Sequence, residues 1–474
     1  MRPVPNYRDA LETAAGHAAE YLETVAGRHV GATASAAELR QALGGPMPAT
    51  GQAPADIVDR LAHAARTGTV GSQGPRYFGF VTGGSLPAAV GADWLLSAWD
   101  QNGGIYVLSP LVAVVEEIVA GWLRDLLDLP DSAVSFSVGF VTGCQMANFT
   151  SLAVARHHVL ARAGWDVEAD GLIGAPPIDV VVSDESHYTI FNALRYLGLG
   201  SARVRRVPTD DQGRMRADAL IATLAQTSGP CIVTAQAGNV NTGAFDPLEP
   251  IADACEKRGA WLHVDGAFGL WAVASPSRAH LAAGIARADS IATDAHKWLN
   301  VPYDCGIVMT RHREAHRAAM TLHAAYIVSS DAERDPHEYV PEESRRGRAV
   351  TVYASLASLG RQGLGELVDR CSDHAQHMAA LLSAHPKVRI LSDVVLNQVL
   401  VRIQPDHQIT RSADSDEVTR AVIAAVQKDG TCWLGGTTWH GVAAMRISVS
   451  NWSTSTADIE RSAQAILEAV DRVT

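Results

Sequence analysis

The sequence predicts an α/β protein, with a large domain built on a mostly parallel β-sheet and a smaller C-terminal α+β domain. Short β-branched runs alternate with helical patterns through residues 75–320, as in successive βα units. From about residue 345 onward, a long helical pattern precedes further strands and helices. The length of 474 residues also exceeds what one ordinary core accommodates, which favours several domains.

Three parts are expected along the chain. Residues 1–74 form an N-terminal helical segment, in which the helix predicted for residues 7–26 has too few apolar positions for a core of its own. We expect this segment to pack on another surface, and a second subunit is the natural candidate. Residues 75–344 form the large domain, and residues 345–474 form the small one.

The strands of the large domain are predicted from its β-branched runs. They are residues 134–141, 179–183, 231–235, 261–264, 290–293 and 306–310. Helical patterns such as residues 250–258 lie between them. Because ligands of such sheets bind beyond the carboxyl ends of the strands, polar residues that follow a strand are the candidates for function.

Composition and charge exclude several classes of function. The chain carries 39 basic and 51 acidic residues, a net charge of −12, and has no basic run, so nucleic acid is not an expected partner. The N-terminus lacks an apolar stretch of signal-peptide length, and charged side chains interrupt the apolar residues 107–127. The six cysteines include no C-x-x-C pair, so neither a disulfide framework nor a metal site is expected. A cytoplasmic protein without a membrane partner is the expectation.

One lysine stands apart from the others. The sequence contains only Lys257, Lys297, Lys387 and Lys428, and all but Lys297 lie in polar turns or at helix ends. Lys297 follows a predicted strand and precedes an aromatic residue, a setting in which a lysine can lose its proton and act as an amine nucleophile. A structural ion pair with Asp294 is the alternative.

Three more segments place reactive groups at strand ends. Asp265 ends a buried run and could pair with a protonated ring nitrogen of a ligand, although an N-cap role would also explain it. Residues 143–145 lead from a strand into a helix, whose free N–H groups could hold a phosphate, although small residues also serve strand–helix packing. His187 follows another strand and could lie flat on an aromatic cofactor, or simply begin a helix.

Taken together, these segments resemble a known family. The resemblance rests on Asp-Ala-His-Lys-Trp-Leu-Asn (294–300), His-Val-Asp-Gly-Ala (263–267), Ser-Asp-Glu-Ser-His (183–187), Gly-Asn-Val-Asn-Thr-Gly-Ala-Phe-Asp (238–246) and Gly-Pro-Arg-Tyr-Phe-Gly-Phe (74–80). The chain is similar to the group II amino-acid decarboxylases that depend on pyridoxal 5′-phosphate (PLP), which include the aromatic-amino-acid, histidine, tyrosine and glutamate decarboxylases. The likeness runs from about residue 75 to the C-terminus. It implies the type I PLP-dependent transferase fold and a homodimer with active sites at the subunit interface.

The resemblance also implies a role for each matching residue toward the cofactor. Lys297 would form the Schiff base, Asp265 would pair with the pyridine nitrogen, and His187 would stack on the ring and help place the substrate carboxylate. The other cofactor contacts would be His296 near the phosphate, Ala267 against the ring, and Gly143, Cys144 and Gln145 around the phosphate. Asn239 replaces a threonine common in the family, which puts its cofactor hydrogen bond in doubt.

Substrate and proton-donor residues are implied in the same way. Arg446 matches an arginine that can anchor the substrate carboxyl group in glutamate decarboxylases, and Phe78 and Phe80 would line the entrance. Asn102 of the other subunit would lie where aromatic-substrate enzymes carry bulkier groups, which weakly favours an acidic or polar substrate.

The group that returns a proton to the substrate carbon would lie on a mobile loop matching residues 329–344. The register there is open between Tyr339 and His337.

The expected reaction is decarboxylation of an L-amino acid to the amine and carbon dioxide. Substrate would displace Lys297 from the cofactor, and carbon dioxide loss would leave a carbanion spread into the protonated pyridine ring. Two alternatives within PLP chemistry remain, an aldehyde-forming activity and an aminotransferase activity. A carbon–carbon lyase acting on a phosphorylated amino alcohol would need a basic pocket that the sequence does not suggest. A catalytically silent binding protein is disfavoured because Lys297, Asp265 and His187 are all retained.

Overall fold

The computed structural model describes residues 7–130, 136–321, 333–404 and 412–474, the last range without the side chains of residues 412–414. The chain forms two compact units. The large unit comprises Gly83–Gln376 and Ser392–Val399, and the small unit comprises Met1–Thr82, His377–Leu391 and Leu400–Thr474.

A seven-stranded sheet forms the centre of the large unit. Its strands are β1 Ser137–Val141, β2 Asp179–Ser183, β3 Arg205–Val207, β4 Cys231–Gln236, β5 Trp261–Asp265, β6 Ser290–Asp294 and β7 Gly306–Thr310. They are arranged in the order β1-β7-β6-β5-β4-β2-β3. The pairs β2–β3, β2–β4, β4–β5 and β5–β6 are parallel, whereas β7 runs antiparallel to both of its neighbours. The predicted mostly parallel sheet is therefore confirmed. The start of the first predicted strand, residues 134–135, lies outside the described residues.

The helices follow the expected alternation with the strands. In chain order they are α1 Tyr7–Thr24, α2 Ala36–Leu43, α3 Pro54–Gly68, α4 Pro87–Trp99, α5 Pro110–Leu126, α6 Cys144–Ala161, α7 Val167–Asp170, α8 Tyr188–Tyr196, α9 Ala217–Leu224, α10 Leu248–Arg258, α11 Arg313–Met320, α12 Ala349–Ser383, α13 Ser412–Asp429 and α14 Thr456–Val473. Proline opens α3, α4 and α5, where its missing N–H costs no hydrogen bond. Helix α12 is kinked at Gly360, whose φ of 64° is not helical. None of the helices in the described ranges is long and apolar enough to cross a membrane.

Apolar side chains hold helices against the large sheet. Leu152 of α6, Ile190 of α8 and Val182 of β2 belong to one cluster of buried residues. A second cluster joins the start of α6 to the sheet through Ala147, Ala292 and neighbouring side chains. Burial of this kind favours the folded state by about 25 cal/mol per Å² of apolar surface. It fixes the first turns of α6 and α8 relative to the strand ends.

A second sheet has four strands, β8 Val388–Ile390, β9 Gln398–Ile403, β10 Gly435–Trp439 and β11 Val442–Ser448. Their order is β10-β11-β9-β8, with antiparallel pairing of β10 with β11 and of β8 with β9. In the small unit α13 packs against β11 and α14, and α1 packs against α3. This arrangement matches the predicted α+β class of the C-terminal region. The predicted limits of the three domains remain a prediction.

Candidate active site

Polar residues of the large unit gather where its parallel strands end. Asp265 is the last residue of β5, Asp294 is the last residue of β6, and Lys297 follows three residues later. Cys144 begins α6 directly after β1, and His187 is the N-cap of α8 after β2. The carboxyl ends of parallel strands meet at one edge of a sheet, which is where such folds bind ligands.

Lys297 forms an ion pair inside this cluster. Its Nζ lies 2.8 Å from Oδ2 of Asp294, a carboxylate whose side chain is only 3% exposed. Burial is the largest single influence on the pKa of Lys297 and acts to lower it, but the charge and hydrogen bond of Asp294, together with Cys144 and Asp265, raise the pKa above its ordinary value. The ion pair considered as an alternative from the sequence is therefore present. It keeps the amine protonated in this state of the protein.

Asp294 also connects Lys297 to the first turn of α6. Its Oδ1 accepts a hydrogen bond from the Cys144 backbone N–H at 2.5 Å and lies 3.4 Å from His296 Nε2. The other nitrogen of His296, Nδ1, accepts from the Cys305 N–H at 3.1 Å. Burial lowers the pKa of His296, so its imidazole is neutral. The contacts with Asp294 and with the Cys305 N–H fix the orientation of the ring.

Asp265 is held by three donors. Its Oδ1 accepts from the Ala267 N–H at 3.1 Å and from Cys144 Sγ at 3.4 Å, and its Oδ2 accepts from Asn148 Nδ2 at 3.0 Å. Burial, together with the neighbouring carboxylates Asp265 and Asp294, raises the pKa of the Cys144 thiol well above its ordinary value, so Cys144 is a thiol donor. Asp265 is thus a carboxylate kept in place by hydrogen bonds, as a partner for a cationic nitrogen should be.

The start of α6 has the features of an anion site. Gly143 is its N-cap and has no side chain to cap the helix, and Asp294 accepts only from the first N–H, that of Cys144. A Cβ atom at Gly143 would lie 3.1 Å from His296 Cε1, so a side chain there would crowd the histidine. Because the Cys144 N–H is engaged by Asp294, the amides of Gln145 and Met146 are the ones that the missing cap leaves for a phosphate.

Asn239 provides a further polar group. It lies in the turn after β4, where its Oδ1 accepts from the N–H groups of Asn241 at 2.8 Å and Thr242 at 3.3 Å. These bonds direct Nδ2 away from the turn. Within the described chain this buried Nδ2 has no hydrogen-bond partner. A buried donor without a partner is costly, and a polar ligand atom would satisfy it.

His187 and the two candidate proton donors are also placed in the large unit. His187 is partly buried, and its Nδ1 lies 2.8 Å from Thr189 Oγ1. Tyr339 is fully buried, with its ring edge-on to His316. His337 is buried as well, and its Nδ1 lies 3.3 Å from the Gly104 carbonyl oxygen. The roles of Tyr339 and His337 stay predictions, and residues 329–332 of the predicted loop lie outside the described residues.

Of the residues predicted to face the substrate, Asn102 lies in the large unit. There Asn102 Oδ1 accepts from the N–H groups of Gly104 and Arg345, both at 3.1 Å, which stabilises a turn. Phe78 is buried in the small unit, where its N–H donates to the Trp433 carbonyl at 2.7 Å. Phe80 is 62% exposed and stacks on Trp433 at 5.5 Å between ring centroids, with a backbone φ of 53°.

Arg446 lies on β11 of the small unit, opposite Gly435. It is partly buried, and burial lowers its pKa. No carboxylate among the described residues is paired with its guanidinium.

Sequence reasoning missed two side chains of these clusters. Asn148 lies one helical turn after Cys144 on α6, and this i, i+4 spacing was the available signal. Trp433 is distant in sequence from Phe78 and Phe80, and no pattern in the sequence pointed to it. Asp294 was considered only as the partner in an ion pair, although it contacts three of the groups described above.

Comparison with known proteins decides the family. The model of the pyridoxal-dependent decarboxylase conserved domain matches residues 38–404. The chain belongs to the pyridoxal-dependent decarboxylase family. This decarboxylase is 28% identical over 448 residues to the aromatic-L-amino-acid decarboxylase of Bacillus atrophaeus, which covers 93% of this chain and 90% of that protein. It is 30% identical over 351 residues to the cysteine sulfinic acid decarboxylase of Mus musculus, which covers 70% of this chain and 68% of that protein.

A solved structure supports the same assignment. The crystal structure of mouse CSAD matches the decarboxylase with a TM-score of 0.90 at 25% identity, covering 100% of this chain and 99% of that one. The predicted type I PLP-dependent transferase fold is confirmed. The decarboxylase is a carboxy-lyase that uses PLP to remove carbon dioxide from an amino acid.

The large unit fits this cofactor. The first turn of α6, with the amides of Gln145 and Met146 left without a cap, suits a phosphate, and the buried Asp265 suits a protonated pyridine nitrogen. The buried Nδ2 of Asn239 needs an acceptor. Lys297 offers a primary amine, the group that an aldehyde can bind covalently, and its partner Asp294 also contacts the start of α6.

Proposed function

We propose that this decarboxylase acts on an L-amino acid with an acidic side chain and releases the corresponding amine. The observation that carries the proposal is Arg446, a partly buried arginine with no ion pair among the described residues. Removing a cation from water without a counter-ion is costly, so such a residue favours an anionic ligand. An arginine also binds a carboxylate through two parallel hydrogen bonds, which gives geometric selectivity.

The similarity to cysteine sulfinic acid decarboxylase supports the same substrate class, since that relative is named for an amino acid with an acidic side chain. The similarity to an aromatic-L-amino-acid decarboxylase supports a different one. Arg446 is what favours the acidic class for this chain. The polar side chain of Asn102, in place of a bulky apolar one, is in keeping with it.

The residues of the large unit would divide the work of the reaction as follows. The bound cofactor supplies an electron sink for the negative charge that carbon dioxide loss leaves on the substrate. Lys297 would hold the cofactor through its side-chain amine. Asp265 would keep the cofactor's ring nitrogen protonated, and His187 would cover the ring. Asn239, Gly143, Cys144, Gln145, His296 and Ala267 would complete the binding site.

Two further features belong to the proposal. The enzyme would act as a homodimer, because α5 carries an exposed apolar stripe at Leu111, Val114, Ile118 and Trp122, at helical spacing along one face. It would also reside in the cytoplasm. All six cysteines fall within the described residues, and each is buried and free, as expected in a reducing compartment.

The test is a product assay on purified, PLP-loaded protein. L-glutamate, L-aspartate, L-cysteine sulfinate, L-2,4-diaminobutyrate, L-tyrosine and L-tryptophan are supplied separately, and amine, carbonyl product and carbon dioxide are followed by mass spectrometry. We expect an amine and an equal amount of carbon dioxide from an acidic substrate. Lys297→Ala is the inactive control. Turnover of the aromatic amino acids alone would contradict the substrate class, and an aldehyde or keto acid would contradict the reaction.

The role of Arg446 is tested by Arg446→Met. Losing a bidentate, charge-assisted contact should raise KM for the acidic substrate by roughly tenfold or more, with a smaller effect on any aromatic substrate. The matched control is Arg420→Met, since Arg420 is an exposed arginine of the same unit. If the two variants have equal kinetics, Arg446 does not bind the substrate.

A further inference from the structure

We propose that Asn148 is a positioning residue of this active site, whose side-chain amide holds Asp265 as a carboxylate and at the same time orients His187. A buried chain of Trp261, Ser290 and His263 orients the amide in turn. The inference rests on the proposed roles of Asp265 and His187 toward the cofactor. Asn148 itself has no role in the prediction from sequence or in the proposed function.

The contacts of Asn148 use every polar atom of its side chain. The residue is completely buried on α6. Its Nδ2 lies 3.0 Å from Asp265 Oδ2 and 3.4 Å from Thr189 Oγ1, and its Oδ1 lies 2.9 Å from His263 Nε2. One amide therefore touches the strand end of β5, the first turn of α8 and the interior of β5.

The direction of each hydrogen bond follows from the proposed role of Asp265, in which it accepts as a carboxylate. A carboxylate only accepts, so Asn148 must turn its NH₂ toward Asp265 and its oxygen toward His263. The oxygen needs a donor, which places the imidazole proton of His263 on Nε2. Burial lowers the pKa of His263 to about 4, so the ring is neutral and its Nδ1 is an acceptor.

The rest of the chain is compatible with that assignment. Ser290 Oγ lies 2.9 Å from His263 Nδ1 and donates its hydrogen there. The Ser290 oxygen in turn accepts from Trp261 Nε1 at 2.9 Å, and an indole N–H can only donate. The hydrogen bonds thus run in one direction from Trp261 to Asp265, and each strengthens the next in a low-dielectric interior.

The second hydrogen of the Asn148 amide contacts His187 indirectly, through the Thr189 hydroxyl. At 3.4 Å its bond to Thr189 Oγ1 is long, and it leaves the Thr189 hydroxyl hydrogen free to donate to His187 Nδ1 at 2.8 Å. This arrangement places the proton of a neutral His187 on Nε2. The two groups assigned to the nitrogen and to the face of the cofactor ring therefore depend on the same side chain.

Loss of the amide should act on the ionisation of Asp265. Without Asn148, the donors to Asp265 among the described residues are the Ala267 N–H and the weak Cys144 thiol, both on Oδ1. Burial with fewer donors favours the neutral acid, and a neutral acid no longer stabilises a protonated ring nitrogen. The effect should therefore appear in the cofactor as well as in turnover.

The experiment compares Asn148→Leu and Asn148→Asp with the wild-type holoenzyme. PLP affinity of the apoprotein is measured by quenching of tryptophan fluorescence, the visible cofactor band is titrated with pH, and kcat and KM are determined separately. We expect about tenfold weaker PLP binding, a shifted titration of the visible band, and a fall in kcat with little change in KM. His263→Phe, which removes the donor to Asn148 Oδ1, should shift the same readouts less.

Asn451→Asp is the matched control, because Asn451 is an equally buried asparagine that donates to the backbone carbonyls of Gln73 and Gly74. It should lower thermal stability without moving the titration of the cofactor band. The inference is overturned if both Asn148 variants keep wild-type PLP affinity and titration while Asp265→Ala loses them. If Asp265→Ala also binds and titrates normally, the proposed role of Asp265 fails instead. Should Asn148→Leu not fold, the near-isosteric Asn148→Asp alone decides.

Discussion

Replacing Gly83 by alanine should displace the segment that carries Lys297. A Cβ atom at Gly83 would lie 1.7 Å from the Lys297 carbonyl oxygen, 2.9 Å from its carbonyl carbon and 3.0 Å from Asn300 Nδ2. Two of these three atoms are backbone, so no side-chain rotation relieves the clash. An ordinary carbon–oxygen contact is about 3.4 Å, so the two chain segments would have to separate by roughly 1.7 Å.

The size of the effect follows from that displacement. Overpacking a well-packed interior costs about 1–3 kcal/mol, and the severity of this clash places Gly83→Ala at the upper end, about 3 kcal/mol. A misplacement of roughly 1 Å at a reacting group can lower a rate about 100-fold. We therefore expect a lower free energy of unfolding and a kcat/KM reduced by about two orders of magnitude, with PLP still bound in a stoichiometric titration.

Urea denaturation and steady-state kinetics measure both quantities. The control is Gly363→Ala within α12, where the nearest atom to the added Cβ is 3.6 Å away and alanine is the better helix former. Gly363→Ala should be as stable as the wild type or slightly more so, with unchanged kinetics. If Gly83→Ala behaves like Gly363→Ala in both assays, the close approach to Lys297 is absent and the reasoning is refuted.

Two further predictions concern stability. The Arg345 guanidinium lies 2.7 Å from Glu116 Oε1, and neither side chain is exposed. Glu116→Ala leaves this arginine without its counter-charge, so the free energy of unfolding should fall by about 3–5 kcal/mol. An unchanged urea midpoint would contradict this. Burial lowers the pKa of His263 to about 4 and that of His316 to about 3, against an ordinary value of 6.5. The unfolded chain therefore binds more protons in this range, and stability should be full above pH 6.5 and fall as the pH approaches 4. Urea midpoints across that range measure it, His316→Phe should flatten the curve, and a midpoint that rises on acidification would oppose the sign.

The strands could be predicted because buried parallel strands are continuous apolar, β-branched runs. Residues 179–183 and 306–310 were predicted with the bounds that the structure shows, and the others with small differences at their ends. The antiparallel direction of β7 could not be predicted, because the sequence does not show the path that the chain takes between the end of β6 and the start of β7. Strand β3, with only three residues, is too short to give a pattern.

The candidate site was predictable to the extent that its residues follow strands. Asp265 and Lys297 were found because each stands at or just after the end of an apolar run, where a charged residue is conspicuous. Asn148 was not found, because an asparagine inside a helix normally faces solvent and its partners Thr189, His263 and Asp265 lie 41, 115 and 117 positions away in sequence. Side chains that position a reactive group act through tertiary contacts, and the helical spacing from Cys144 places Asn148 on the same face without identifying those contacts.

Asp294 links the charge of Lys297 to the helix that should receive a phosphate. Its two oxygens bind an ammonium at 2.8 Å and the first N–H of α6 at 2.5 Å, which is the donor set of a small anion site. Lys297 must give up its proton before it can act as a nucleophile, and its raised pKa shows that Asp294 opposes this. Because Asp294 already engages the first N–H of α6, an anion at this helix would bind the amides of Gln145 and Met146. Under the roles proposed above, Asp294 therefore contacts both the amine that would hold the cofactor and the helix that would receive its phosphate, so its charge would influence both.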